Sequence, residues 1–154
     1  MISQEDLTEA IDRLELADRP VMAHFSLRSF GRPVKGGADL VIEAFLQRGC
    51  TLLVPAFTEP HFLVRPPAHL RPKRNGVDYE DVHPDPLEGP RPYTPRCGLV
   101  NSRLGVFPAR VLGRADTVRN EHPLNSFAAV GPLAETLVPH PATDLYGPSG
   151  PCAN

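Results

Sequence analysis

Apolar residues fall into short separated blocks, and the period changes from block to block. In "SQEDLTEAIDRLEL", Leu7, Ile11 and Leu14 recur at helical spacing behind Ser3, a residue suited to capping a helix start. Asp6 stands three residues after that cap, and Glu5 and Asp6 suit the positive end of a helix dipole. This predicts a helix over 4–15. In "RPVMAHFSL", Val21, Ala23 and Phe25 alternate with Met22 and His24, which predicts a short strand partly buried on both faces. "RSFGRPVKGG" reads as a loop. "ADLVIEAFLQRG" reads as a helix with Leu40, Val41, Ala44 and Phe45 on one stripe and Gly49 as its stop. "CTLLVPAFT" is the near-continuous apolar run of a strand covered on both sides. Residues 20–57 thus form a βαβ unit, for which parallel strands and a right-handed crossover are expected.

Three further blocks follow a long interruption. "GVFPARVLGR" (105–114) predicts a short helix with Pro108 in its first turn, where proline is tolerated. "SFAAVG" (126–131) predicts a strand. "PLAETLV" (132–138) predicts a helix with Pro132 at its first position and Leu133 and Leu137 on one face. Composition explains the interruption: ten of the 19 prolines lie from Pro55 to Pro95. Proline removes a ladder donor and blocks helix interiors, so about 59–96 is expected to be one long Pro-rich loop. The tail "YGPSGPCAN" shows no period, and no internal repeat is present. The pattern as a whole is α/β, read as a single domain over 1–154.

Charge and composition narrow the function. A net charge of −2 argues against a nucleic-acid surface. No apolar run approaches the ~20 residues of a membrane span. The opening "MISQEDLTEA" is acidic and polar rather than secretory, so a cytoplasmic location is expected. Cys50, Cys97 and Cys152 are odd in number and widely spaced, with no CxxC pair. A cysteine zinc site is not expected, and Cys50 reads as a small core residue at a strand entrance.

Three stretches offer chemistry. "HFSLRSFGRPVKGG" (24–37) lies between a strand and a helix start, where backbone N–H groups favour an anion. Ser26, Arg28, Ser29 and Lys35 add donors and charge there. Neither GxxxxGK[ST] nor GxGxxG is present, so an ordinary βα loop stays open as the alternative. In "NEHPLNSFAAVG" (120–131), His122 is either a general base or a loop cap bonded to the backbone, and Ser126 either meets a ligand or caps the turn. No GxSxG elbow supports a serine hydrolase. "DYEDVHPD" (78–85) gathers four acids and a histidine but matches no metal-ligand spacing, so no metal site is expected.

Taken in order, these stretches resemble the aminoglycoside 3-N-acetyltransferases, the antibiotic N-acetyltransferase family. "VMAHFSLRSFG" resembles that family's "V.VHSSLRSFG", and "VKGGADLVIEAFL" its "V.GGA..VI.ALL". "GCTLLVPAFT" is similar to "GTLLMPTFT". Residues 105–137 resemble "G.FPE.....PG..RS.HP..SFAAVG..AE.L", and "DLYGP" resembles "D.YGP". The resemblance implies a three-layer αβα sandwich with a mixed sheet. It implies an acetyl-CoA-dependent transferase acting on the 3-amino group of an aminoglycoside or a similar amine. The loop containing Ser26, Leu27, Arg28, Ser29, Gly31, Gly36 and Gly37 would hold pantetheine and diphosphate. His122 would serve as base or proton relay, and Thr58 and Ser126 would shape the substrate pocket. Three positions depart from the family pattern: Phe25 replaces a serine, Ala56 a threonine, and Ala109 the glutamate that would pair with the base. Family members continue beyond "D.YGP", so the sandwich is expected to be incomplete, with an exposed sheet face or edge that leaves homo-oligomer formation open. The competing expectations are a catalytically inactive relative that retains coenzyme binding at most, and a metal-binding module built on the acidic loop.

Overall fold

A computed structural model describes residues 1–62, 68–70 and 93–138. The acidic stretch 78–85, Cys152 and the tail after 138 lie outside the described residues.

Helix α1 spans Gln4–Arg13 and opens on the expected cap, Ser3, which Asp6 completes into a capping box: Asp6 N donates to Ser3 Oγ (3.2 Å) and Ser3 N donates to Asp6 Oδ2 (2.8 Å). It ends two residues earlier than its period suggests. Glu15 lies at φ 55°, in the left-handed region, and Leu16 N bonds back to Ile11 O. Leu7 and Ile11 are buried against α2, which spans Gly37–Gln47. Gly36 (φ 80°) and Gly37 (φ 63°) carry the chain from the preceding loop into α2 in a conformation that side chains resist.

Strand β1 is shorter than expected, Pro20–Met22, and Met22 and His24 are exposed rather than covered. The reason is its place at the sheet edge. The sheet order is β1-β2-β4-β3, with β2 Thr51–Pro55, β3 Val118–Arg119 and β4 Phe127–Val130. β1 and β2 are parallel, as the βαβ pattern requires, with Val21 opposite Leu52. β4 pairs antiparallel with both β2 and β3, which makes the sheet mixed.

Alternation along β2 and β4 sends side chains to two covered faces. Leu52, Val54, Ala128 and Val130 pack against Val41 and Ile42 of α2 and against Phe107 and Val111 of α4 (Val106–Leu112). On the opposite face, Ala129 packs with Ala134 and Val138, alongside Leu53 and Val118. Helix α5, Ala134–Leu137, supplies that second layer among the described residues. Its buried face is Ala134 rather than the expected Leu133 and Leu137. Leu133 N donates to the buried Thr51 Oγ1 (2.9 Å), which sets the start of α5 on the sheet and turns Leu133 outward. A further single turn, α3 (Glu59–Phe62), begins where the Pro-rich loop was expected. Cys50 is fully buried at the entrance to β2, where burial pushes its thiol pKa up.

The helices on the first face are joined by exposed ion pairs. Arg110 bonds Asp39, and Arg114 bonds both Glu43 (2.5 Å) and Asp116 (2.9 Å). Hydrogen bonds from the arginines hold the carboxyls of Asp39 and Asp116 below their usual range. A depressed folded-state pKa adds stability above the unfolded carboxyl value, lost as pH falls through the folded one. Urea midpoints measured from pH 6 down to pH 2 are therefore expected to fall below about pH 4. The double variant Asp39→Asn/Asp116→Asn should show a shallower fall; an unchanged slope would exclude these pairs as its source.

Candidate coenzyme cavity and the loop carrying His122

The loop after β1 folds into a 3-10 turn, Leu27–Phe30, because Ser26 Oγ accepts from Arg28 N (3.3 Å) and Ser29 N donates to Ser26 O (2.9 Å). Facing it is a second 3-10 turn, Ser102–Leu104, which leads through Gly105 into α4. Between them lies a cavity of about 790 Å³, lined on one side by His24 to Ser29 and on the other by Arg103 to Phe107. The rings of Phe25 and Phe107 meet at 4.4 Å between centroids and give it an apolar wall. Its size falls within the range of small-molecule sites, roughly 300–1,000 Å³. The structure thus brings together Ser26, Leu27, Arg28 and Ser29 from the loop singled out in the sequence. Gly31 and Gly37 line a separate, shallower cavity of about 370 Å³, with Leu27 and Arg28 shared between the two. Gly36 lines neither.

The anion-binding power expected of the loop's backbone is reduced by its own folding. Ser29 N and Gly31 N donate to carbonyls within the loop, Lys35 N to Ile2 O, and Gly37 N to Val34 O. Of these four residues only Ser29 lines the 790 Å³ cavity.

The other expected site residues lie elsewhere. Thr58 and Ser126 are fully buried and do not line the 790 Å³ cavity. Their hydroxyls are spent on the backbone: Thr58 Oγ1 donates to Pro123 O (2.5 Å) and Ser126 Oγ to Ala56 O (2.6 Å). These bonds pin the 120–126 loop to the end of β2, helped by Thr58 N donating to Leu124 O (2.8 Å). His122 sits in that loop, half-buried, and is not among the residues lining the cavity. Leu124 N (3.1 Å) and Asn125 N (2.9 Å) both donate to its Nδ1. A nitrogen receiving N–H bonds carries no hydrogen, so the neutral ring bears its proton on Nε2. His122 caps its loop by accepting from these two amides, which engages the lone pair of Nδ1.

Sequence reasoning missed the centre of this region. Arg119 is 4% exposed. Its Nε donates to Ser126 Oγ (3.0 Å), Nη1 to Cys97 O (2.7 Å), and Nη2 to Ala56 O (2.6 Å) and Leu99 O (2.9 Å). Tyr93 stacks on the guanidinium, 5.3 Å from ring centroid to Cζ, and its hydroxyl donates to Asn120 O (2.8 Å). Burial raises the Tyr93 pKa, so the phenol stays a donor. The signal was the arginine in the "G..RS.HP" pattern, which falls on Arg119. Among the described residues, no group of three or more His, Cys, Asp or Glu side chains is placed to hold a metal, and no helix is long and apolar enough to cross a membrane.

Comparison with known proteins agrees with this architecture. A family model described as aminoglycoside 3-N-acetyltransferase matches residues 22–154. An aminoglycoside N(3)-acetyltransferase III of Salmonella sp. is 29% identical over 153 residues, covering 98% of this chain and 51% of that protein. One of Enterobacter cloacae is 28% identical over the same span. The crystal structure of aminoglycoside acetyltransferase AAC(3)-Xa superposes with a TM-score of 0.70 at 25% identity, covering 99% of this chain and 50% of that one. AAC-IIIb, solved as a binary complex with CoASH, superposes with a TM-score of 0.62 at 23% identity, covering 91% and 50%. The chain spans about half the length of the curated relatives it matches. On the family match and the mixed α/β sheet together, this chain belongs to the aminoglycoside 3-N-acetyltransferase family.

Proposed function

We propose that the chain forms the coenzyme-holding part of an acetyl-CoA-dependent N-acetyltransferase whose acceptor is the 3-amino group of an aminoglycoside or a similar amine. The observation that carries this reading is the 790 Å³ cavity between the two 3-10 turns. Its Phe25–Phe107 wall suits the pantetheine arm, and Arg28 suits the phosphoryl groups. Ser26, Leu27 and Ser29 complete that side. Acetyl-CoA enters as a substrate: the neutral amine nitrogen attacks the thioester carbonyl, the C–S bond breaks, and amide and free thiol leave. Holding the thioester fixed lowers the entropic part of the barrier.

His122 enters as the proton-handling group, through Nε2. Thr58 and Ser126 act behind it by fixing the loop that carries it. His122→Asn keeps an acceptor for the Leu124 and Asn125 amides while removing Nε2, so the loop should survive the change. The expected result is turnover lowered at least ~100-fold with CoA affinity barely altered. Equal losses of turnover and CoA affinity would make His122 purely structural.

A second reading, coenzyme binding without chemistry, is favoured by one observation. Nδ1 of His122 is engaged by backbone amides, so the ring as placed lacks a lone pair for the amine. Ala109, where the family pattern has glutamate, removes the carboxylate that would reorient it. Thiol release from acetyl-CoA, with and without an aminoglycoside, decides between them. Amine-dependent release supports the transferase. CoA binding by calorimetry without release supports the second reading.

A further inference from the structure

The arginines of this chain divide by their surroundings. Arg13, Arg48, Arg110 and Arg114 each meet a carboxylate. Arg28 and Arg103 reach the 790 Å³ cavity from opposite walls, and among the described residues neither is paired with an acid. Two arginines lining one cavity without an acid partner give it a positive field, which favours an anionic ligand. The turn bearing Arg103 is also firmly built. Asn101, 7% exposed, accepts from Arg103 N at Oδ1 (2.9 Å), donates from Nδ2 to Glu59 Oε1 (2.8 Å) and donates from its backbone N to Phe57 O (2.7 Å). Arg103 is therefore presented from a support anchored just beyond the end of β2. The Phe25 and Phe107 rings, 4.4 Å apart between centroids, line the same cavity as the two arginines.

We propose that Arg103 and Arg28 grip the phosphoryl groups of the coenzyme from the two sides of this cavity, with Asn101 as the residue that positions Arg103. This rests on the coenzyme reading above and adds a binding residue to it from outside the βα loop. A guanidinium presents paired N–H groups that match phosphoryl oxygens, and such charge-assisted bonds are the stronger kind.

The test is calorimetric titration of the chain, Arg103→Gln, Arg28→Gln and the control Arg13→Gln with two ligands, CoA and pantetheine, the latter lacking every phosphoryl group. Arg103→Gln and Arg28→Gln should each weaken CoA about tenfold or more and leave pantetheine within about twofold. Arg13→Gln, which removes the same charge far from the cavity, should leave both ligands unchanged. Arg103→Gln binding CoA as tightly as the unaltered chain would overturn the grip alone. An equal loss for CoA and pantetheine would also overturn it, by showing a general collapse of the cavity. If the unaltered chain binds no CoA at all, the coenzyme reading falls and takes this inference with it.

Discussion

Replacing Arg119 with methionine should cost about 3–5 kcal/mol of folding stability, enough to unfold many domains of this size. The side chain volumes are similar, so the loss is electrostatic and directional rather than steric. Removing the guanidinium leaves the carbonyls of Cys97 and Leu99 without their donor and takes one donor from Ala56 O. Each acceptor orphaned in this half-buried to buried cluster costs roughly 1–3 kcal/mol. Arg119→Lys should recover little. One ammonium cannot reach carbonyls fanned out around a planar fork, and it stacks less well on Tyr93. Urea denaturation of the two variants measures this. A loss below about 1 kcal/mol in Arg119→Met would mean that the network is incidental to stability.

The second large effect is expected at Gly131→Ala. Gly131 has φ 122°, and a Cβ there would stand 2.6 Å from Cys50 O and 2.8 Å from Thr51 Cα. Both neighbours are backbone atoms of the central part of the sheet, which cannot step aside as a flexible side chain would. Backbone strain of roughly 1–3 kcal/mol and a clash of similar size should add, for a total of about 3–5 kcal/mol. Gly36→Ala, also at positive φ but with only Leu40 Cβ at 3.5 Å, should cost no more than the strain. The difference between the two alanine variants in thermal midpoint isolates the steric part. Equal midpoints would show that β2 and β4 give way at this point.

These two residues show what the sequence could and could not display. The glycine closing "SFAAVG" is visible as a motif position, and the strand before it is visible in its run of small apolar residues. The cap of α1 and the glycines before α2 were readable because each depends on residues a few positions apart, and the parallel β1–β2 pair because the helix between two apolar runs dictates it although its partners lie about 31 positions apart. Strand β3 has two residues, too few to show a period. Arg119 bonds residues 63, 22, 20 and 7 positions away, and no local pattern records such bonds. Thr58 and Ser126 were legible as important but not as buried. A hydroxyl facing a carbonyl across the fold and one facing a ligand look alike in one dimension. His122 was legible as a polar group at a loop, whereas the direction of its ring depends on the Leu124 and Asn125 amides.

The pairing of β2 with β4 also bears on how the chain reaches this state. Leu52 finds one neighbour, Val21, within the preceding βαβ unit, but its other neighbour is Val130. During synthesis, the βαβ segment is complete long before that second neighbour leaves the ribosome. Until it arrives, β2 presents a bare rail of amides and carbonyls flanked by apolar surface, the kind of template on which nascent chains stick to one another. Closing contacts so distant in sequence is slow. Yield in a cell should therefore depend on temperature and on chaperone supply more steeply than the size of the finished sheet would suggest.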